Sequence, residues 1–351
     1  MRDRQRVEAG RYFEETLMDW NLIDEMIEAR MISRVWHPDL PGVCLLDYTD
    51  RATYSRTWNA ATRACRGLVV DWPSKTILAR PFGKFFNLSE HAREGMRPVP
   101  HHLPFVVREK VDGSLGIIAH YGGRWRVSTR GSFVSEQAVE AQRMLDDVAN
   151  LLPADKGVTY CVEIVYPANR IVVDYGGRRE LVWLSSIRTS SGDESNACPS
   201  CFRRVRDVHV NAIADLPVDE PNAEGYVIRF ADGTRVKVKL AEYVRRHKAM
   251  SDWSPKRAWE LLSAGSDPAE TIALLPDEMH DEARATVSGL RDRHAAVMAG
   301  ASTVVQECAG LSRKDAAAQI MRSEAAATVC FALLDGQHQR AVGAAWRCVQ
   351  P

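Results

Sequence analysis

Apolar side chains recur at helical spacing through Leu17, Trp20, Leu22, Ile23, Met26 and Ile27, which predicts a helix over residues 7–35. From Val43 the texture changes to short apolar, β-rich runs, 43–46, 67–70, 76–79 and 105–107, set apart by Pro, Gly and Asp. Further strands are expected at 115–120, 125–128, 158–164, 181–187, 225–230 and 235–240, with Asp232-Gly233 as a hairpin turn between the last two. One helix, 135–152, interrupts the series. Beyond Tyr243 the chain is rich in Ala and charge, with helical periodicity over 255–262, 269–274, 278–299 and 313–334. The pattern predicts an α+β protein with antiparallel sheets, followed by a smaller all-helical domain. The expected domains are 1–248, including the N-terminal helical segment, and 249–351.

Composition adds little to that picture but removes some classes. The 351 residues are 45% hydrophobic and 26% charged, ordinary for a globular protein. Lys+Arg and Asp+Glu balance at 46 each, so a nucleic-acid contact would have to come from a local basic patch. Arg203, Arg204 and Arg206 form one such run, and Arg245, Arg246, His247 and Lys248 another. No apolar run approaches the roughly 20 residues that cross a bilayer. The start, Met1 to Arg6, is charged and lacks the apolar core of a signal peptide. The eight cysteines are scattered, mostly in apolar surroundings, as expected of reduced thiols, so a cytoplasmic location is expected. Cys198 and Cys201 have the spacing of half a zinc site, but no second pair follows, and loop cysteines without metal are expected.

The candidate chemistry centres on Lys110-Val-Asp112-Gly113-Ser-Leu115. Val106 and Val107 lead in as a strand, Gly113 permits a tight turn, and Leu115 to Ala119 lead out. An uncharged lysine amine attacks the α-phosphorus of a nucleoside triphosphate and forms a phosphoramidate, and desolvation and neighbouring cations favour that uncharged form. Alone, the motif more often describes a hairpin with a solvated lysine. Other features fit the same chemistry. Arg66 precedes a strand, Arg80 and Lys84 lie among aromatic residues, Glu163 and Glu224 sit at strand ends, and Lys237 and Lys239 share a strand face. Phosphoryl transfer is catalysed mainly by positioning and by cations that neutralise the triphosphate. Carboxylates can read sugar hydroxyls or hold Mg²⁺ through oxygen. Each piece taken singly also fits a solvated sheet face.

The order of these pieces resembles the covalent nucleotidyltransferase superfamily of ligases and capping enzymes, and specifically the RNA ligase 1 family of T-even phages and their bacterial relatives. Glu109 to Leu115 (EKVDGSL) is similar to motif I, Val127 to Ser132 with Ser135 to Ala138 to the next block, and Val162 to Tyr175 to motif III. Val182 to Arg188 resembles motif IIIa, Glu224 to Ile228 motif IV, and Lys237 to Lys239 motif V. Cys65 to Val70 and Ala79 to Glu90 match blocks peculiar to the family. The resemblance implies an ATP-grasp-like nucleotidyltransferase domain with Lys110 as the adenylated residue. It implies nucleotide-binding roles for Tyr48, Arg66, Lys84, Glu163, Glu224, Lys237 and Lys239, and a metal-binding role for Asp267. It also implies ATP with Mg²⁺ or Mn²⁺, and RNA carrying 5′-phosphate and 3′-hydroxyl ends, cleaved tRNA among them. The implied route runs from lysyl-AMP to an RNA-adenylate to a sealed strand. An ATP-dependent DNA ligase or an mRNA guanylyltransferase shares motif I, but those enzymes follow it with an OB-fold barrel where this chain reads helical. A catalytically inactive RNA-end-binding protein is the alternative outside enzymes.

Overall fold

The computed structural model describes residues 18–275 and 277–351. The chain divides into two compact units, one ending at Tyr243 and the other beginning at Val244. The first helix is Trp20–Glu28, capped where Asp19 accepts a hydrogen bond from the Leu22 N–H at 3.0 Å. It stops well short of residue 35. Arg30 takes a left-handed conformation with φ 59°, and Ile32–Trp36 is then a strand paired with Val43–Tyr48. Ile32 and Val35 fit either period, so the pairing partner decides the outcome. The expected helix start at residue 7 lies outside the described residues.

The first unit holds three sheets. The first is the antiparallel meander Ile32–Trp36, Val43–Tyr48, Arg66–Asp71 and Thr76–Ala79. Its alternating side chains serve two cores. Cys44 and Leu46 pack with Ile23 of the first helix, whereas Val43 and Leu45 pack against Ile117 and Ala119 of the second sheet. Burial on both faces is why Val43–Tyr48 carries no polar alternation. Leu45 and Leu46 are fully buried, each contributing about 2 kcal/mol of transfer free energy. The second sheet is built from Ser114–Tyr121, Arg124–Thr129, Val158–Val165 and Glu180–Arg188, with short edge strands at Glu194–Ser195 and Arg203–Arg204. Helix Glu136–Asp146, capped by Ser135, packs Ala141, Met144 and Leu145 into the core that this sheet forms with Trp183. The third sheet orders Asp207–Val208, Phe105–Glu109, Gly225–Phe230, Arg235–Lys239 and Phe86–Asn87. Two short helices, Asp50–Ser55 and Ala60–Ala64, are held by the caps Thr49 and Asn59 and are too short to show a sequence period.

The decisive feature is topological. Phe105–Glu109 belongs to the third sheet and Ser114–Tyr121 to the second. Residues 110–113 are therefore a crossing between two sheets, and the hairpin with a solvated lysine does not occur.

The second unit is helical. After helix Ala241–Asp252 come Pro255–Ser263, Ala269–Ile272, Asp277–Glu307, Arg313–Arg322, Ala327–Leu334 and His338–Cys348. The single helix expected over 313–334 breaks at Ser323, which is extended and returns its N–H to Gln319 and Ile320. The alanines on both sides hide that break from a periodicity reading. Leu262, Leu290 and Trp346 belong to one apolar cluster of this unit, and Ile320, Val329 and Ala341 to a second. Among the described residues no helix is long and apolar enough to cross a membrane.

Candidate active site

The crossing segment is held by hydrogen bonds at Lys110 and Asp112 and by close packing at Gly113. The Lys110 N–H donates to Gly225 O at 2.8 Å. Asp112, 3% exposed, accepts from the Val172 and Val173 N–H groups at 2.8 and 2.9 Å through one oxygen, and from the Tyr243 hydroxyl at 2.7 Å through the other. Its own N–H donates to the Tyr175 hydroxyl at 2.7 Å. Burial and the Glu224 and Asp112 carboxylates push the Tyr243 hydroxyl far up, so it stays a donor. The glycine after Asp112 is required by close approach: a Cβ there would lie 2.6 Å from Ile164 O. Lys110 therefore stands on a rigid bridge pressed against the strand that carries Glu163.

Three expected site residues meet directly. Glu224, 3% exposed, takes Lys110 Nζ on one carboxylate oxygen at 2.6 Å and Lys239 Nζ on the other at 2.9 Å. Gly225 allows this geometry, since its φ is 145° and a Cβ would fall 2.0 Å from Val238 O. Glu163 faces Leu115 across the sheet. Burial pushes its carboxyl up to about 7 although the side chain keeps some accessible surface, with Lys110 opposing the rise and Glu224 adding to it. Lys237 moves the opposite way. Burial and the cations of Lys110, Lys239 and Lys84 bring its amine down to about 7, against the pull of Glu224.

Tyr48, Arg66 and Lys84 form a second cluster. The buried Tyr48 hydroxyl accepts from Lys84 Nζ at 3.2 Å and from Arg130 Nη1 at 3.0 Å. Both cations also lie over its ring, at 4.8 and 5.0 Å. Burial works against ionisation of this phenol, but Lys84, Arg130 and Arg66 outweigh it and leave it below the ordinary tyrosine range. Arg66 stacks over Phe82 and Phe85, and its Nη1 is buried without a hydrogen-bond partner. Arg130 pairs with Asp47 at 3.1 Å. Through Lys84, which acts electrostatically on Lys237, and Arg66, which acts on Glu163, the two clusters form one electrostatic site.

Arg130, Asp47 and Tyr175 carry no role assigned from the sequence, and Asp112 enters there only as part of the Lys-x-Asp-Gly turn. Arg130 lies within the recognised block 127–132, where its position beside a strand end was the available signal. Asp47 gave none, because the whole strand around it is buried. Arg80 proves structural, donating to the Thr189 and Ser190 carbonyls. Of the first basic run, Arg203 pairs with Glu180, Arg204 with Asp207, and Arg206 with Glu109 and Glu220, so its charge is largely spent. Asp267, in the second unit, is exposed, pairs with Arg291 at 3.5 Å and accepts from the Ala269 N–H. Among the described residues no group of three or more His, Cys, Asp or Glu is arranged to hold a metal. Cys198 and Cys201 pack against the core of the second sheet.

The family model described as RNA ligase matches residues 64–253, the stretch that carries Arg66, Lys84, Lys110, Glu163, Glu224, Lys237 and Lys239. A provisionally named RNA ligase of Thermovibrio ammonificans is 28% identical over 208 residues, 54% of this chain and 54% of that protein. RNA ligase 1 of bacteriophage TS2126 is 33% identical over 139 residues, 36% of this chain and 34% of that protein. The chain thus spans about half the length of the first relative and about a third of the second. An archaeal ATP-dependent RNA ligase structure is 16% identical, with 81% of this chain and 83% of that chain covered and a TM-score of 0.46. With more than half of its residues inside the family match, the chain belongs to the RNA ligase family.

Proposed function

We propose that this protein is an ATP-dependent RNA ligase that works through a lysyl-AMP at Lys110. The observation that carries the reading is the Lys110–Glu224–Lys239 triplet on a rigid inter-sheet bridge, with Arg66, Lys84, Arg130 and Lys237 beside it. Such an excess of cations suits a triphosphate, whose charge must be neutralised as the pyrophosphate leaves. Lys110 must first shed a proton, and Glu224 Oε2 lies within hydrogen-bond reach to accept it. The amine then forms an N–P bond to the α-phosphorus while the bond to the bridging oxygen of the pyrophosphate breaks. Lys237 and Lys239 lie on one strand face and draw charge from the phosphates. AMP passes next to an RNA 5′-phosphate, and an RNA 3′-hydroxyl finally expels it and seals the strand.

Both Glu224 oxygens are taken by lysines, so Glu163 is the carboxylate left for Mg²⁺ or Mn²⁺. One carboxylate plus substrate phosphates is a fitting donor set for Mg²⁺, which commonly arrives with its nucleotide. Bound there, the metal would neutralise phosphate charge. RNA ends from cleaved tRNA belong to the substrate class this chemistry serves, and the protein is placed in the cytoplasm on that reading.

The test uses α-labelled ATP with Mg²⁺ and, separately, a 5′-phosphorylated RNA with a free 3′-hydroxyl. Acid-labile, denaturation-resistant label is expected on the protein, absent from Lys110→Ala, together with closure of the RNA. Label from GTP in preference to ATP, or closure only of nicked duplex DNA, would move the reading elsewhere. RNA-end binding without label would reduce the protein to a binding module.

A further inference from the structure

The geometry points to Asp47 as a positioning residue for polyphosphate binding, one that holds the Arg130 guanidinium against the Tyr48 hydroxyl. The proposal rests on the reading of this site as an ATP site. Arg130 is 47% exposed along its side chain, and a long side chain at such a position ordinarily samples many rotamers. Here it is gripped at two points. Nε meets Asp47 Oδ2 at 3.1 Å, and Nη1 donates to the Tyr48 hydroxyl at 3.0 Å. The Asp47 contact is an ion pair and only the Nη1 contact is a hydrogen bond, so of the five N–H donors in this rigid fork those on Nη2 and the second hydrogen of Nη1 are left for an anion. Pre-organisation of that kind lowers the ordering cost of binding.

The carboxylate is not an ordinary surface partner. Asp47 is 6% exposed, and its second oxygen, Oδ1, is buried without a hydrogen-bond partner. Leaving a buried acceptor unsatisfied costs about 1–3 kcal/mol, so an apolar residue would suit the fold better. The groups that face it are Arg130, Arg66, Lys84, the Tyr48 backbone and the Cys65 thiol. Its charge is outnumbered by these cations, so it orients Arg130 without making the site repulsive to phosphate. Burial outweighs these cations and raises the carboxyl to about 6. Below that pH the carboxyl is neutral and its hold on Arg130 weakens.

The experiment is equilibrium binding of inorganic pyrophosphate to the full chain, which needs no chemistry at Lys110. Wild type, Asp47→Asn, Arg130→Ala and the double variant are compared between about pH 5 and 8, with thermal unfolding as the check on folding and Asp47→Ser as the substitute if the asparagine variant does not fold. At pH 8 Asp47→Asn is expected to bind about tenfold more weakly, the scale of one charge-assisted hydrogen bond. In the Arg130→Ala background the same change should have no further effect. The gap between wild type and Asp47→Asn should close as the pH falls below about 6. Since pyrophosphate itself titrates, the difference between proteins is the readout. Unchanged or tighter binding by Asp47→Asn, an undiminished effect in the Arg130→Ala background, or no binding by wild type would overturn the proposal. Loss of ATP labelling with this coupling intact would instead sink the ligase reading and leave the clamp standing.

Discussion

Two charged clusters in the first unit share the Phe82 ring yet are built on opposite terms. On one side Arg235 lies over Phe82 at 4.7 Å and donates to both oxygens of Glu194 at 3.0 and 2.7 Å. Arg229 and the Ser185 hydroxyl complete the set around Glu194. Burial works against the Glu194 carboxylate, but Arg235 and Arg229 more than offset it and hold the group below its usual range. On the other side Arg66 lies over the same ring at 5.2 Å with one nitrogen unpartnered. Beyond it Asp47 and Glu163 are raised to about 6 and about 7, and Lys237 is brought down to about 7. In the Glu194 cluster the carboxylate is held charged by two arginines and a hydroxyl, although Arg229 Nε, in ion-pair range of it, is also buried without a hydrogen-bond partner. The Lys110 cluster has cations in excess and groups held far from their preferred charge, the condition expected of a site awaiting an anion.

The comparison can be broken most severely at Lys237. Lys237→Met is expected to slow AMP labelling by about 10²-fold, the scale of losing one preorganised electrostatic contact, while unfolding at pH 7 is unchanged or shifts to higher temperature. A large loss of stability with normal labelling would erase the distinction. At the other cluster Arg235→Ala should cost about 3 kcal/mol in urea unfolding, as when a nearly buried pair loses one partner, with labelling per folded molecule preserved.

A pH series sharpens the contrast. The folded-state pKa of Glu163 lies above its ordinary value, so the folded form takes up the extra proton and stability rises as the pH falls from about 7. That of Lys237 lies below its ordinary value, so the folded form holds fewer protons and stability rises as the pH climbs above about 7. Ligand-free protein should therefore show a dip near pH 7, with stability regained at about 1 kcal/mol per pH unit on either side. Glu163→Gln should reduce the acid limb, leaving the part that Asp47 contributes below about pH 6, Lys237→Met should flatten the alkaline one, and pyrophosphate should fill the dip. A monotonic profile unaffected by either variant contradicts this. The smallest effect is expected at Asp267, where the exposed pair with Arg291 is worth at most about 0.5 kcal/mol. Asp267→Ala should unfold and label like wild type. A raised Mg²⁺ requirement would instead give that carboxylate the metal role the family resemblance implies.

Much of the first unit is legible because its strands are apolar runs punctuated by turn residues, and strand period is a local property. Lys237 and Lys239 share a face for the same reason. What escapes is non-local. Nothing in 105–121 tells that its two strands enter different sheets, and the partner of Ile32–Trp36 decides strand over helix. Asp47 was hidden by a strand buried on both faces, and Arg130 becomes a site residue only where it reaches Tyr48. The helical unit misleads in its own way, since alanine repeats continue across the break at Ser323.

The most direct measurement is mass spectrometry of the protein after incubation with ATP and Mg²⁺ in the absence of RNA. The expected result is a mass increase of one AMP, located by peptide fragmentation on Lys110, lost in acid and discharged by a 5′-phosphorylated RNA. No added AMP, or AMP carried on another residue and retained in Lys110→Ala, would contradict the assignment of the amine held at 2.6 Å from Glu224 as the nucleophile.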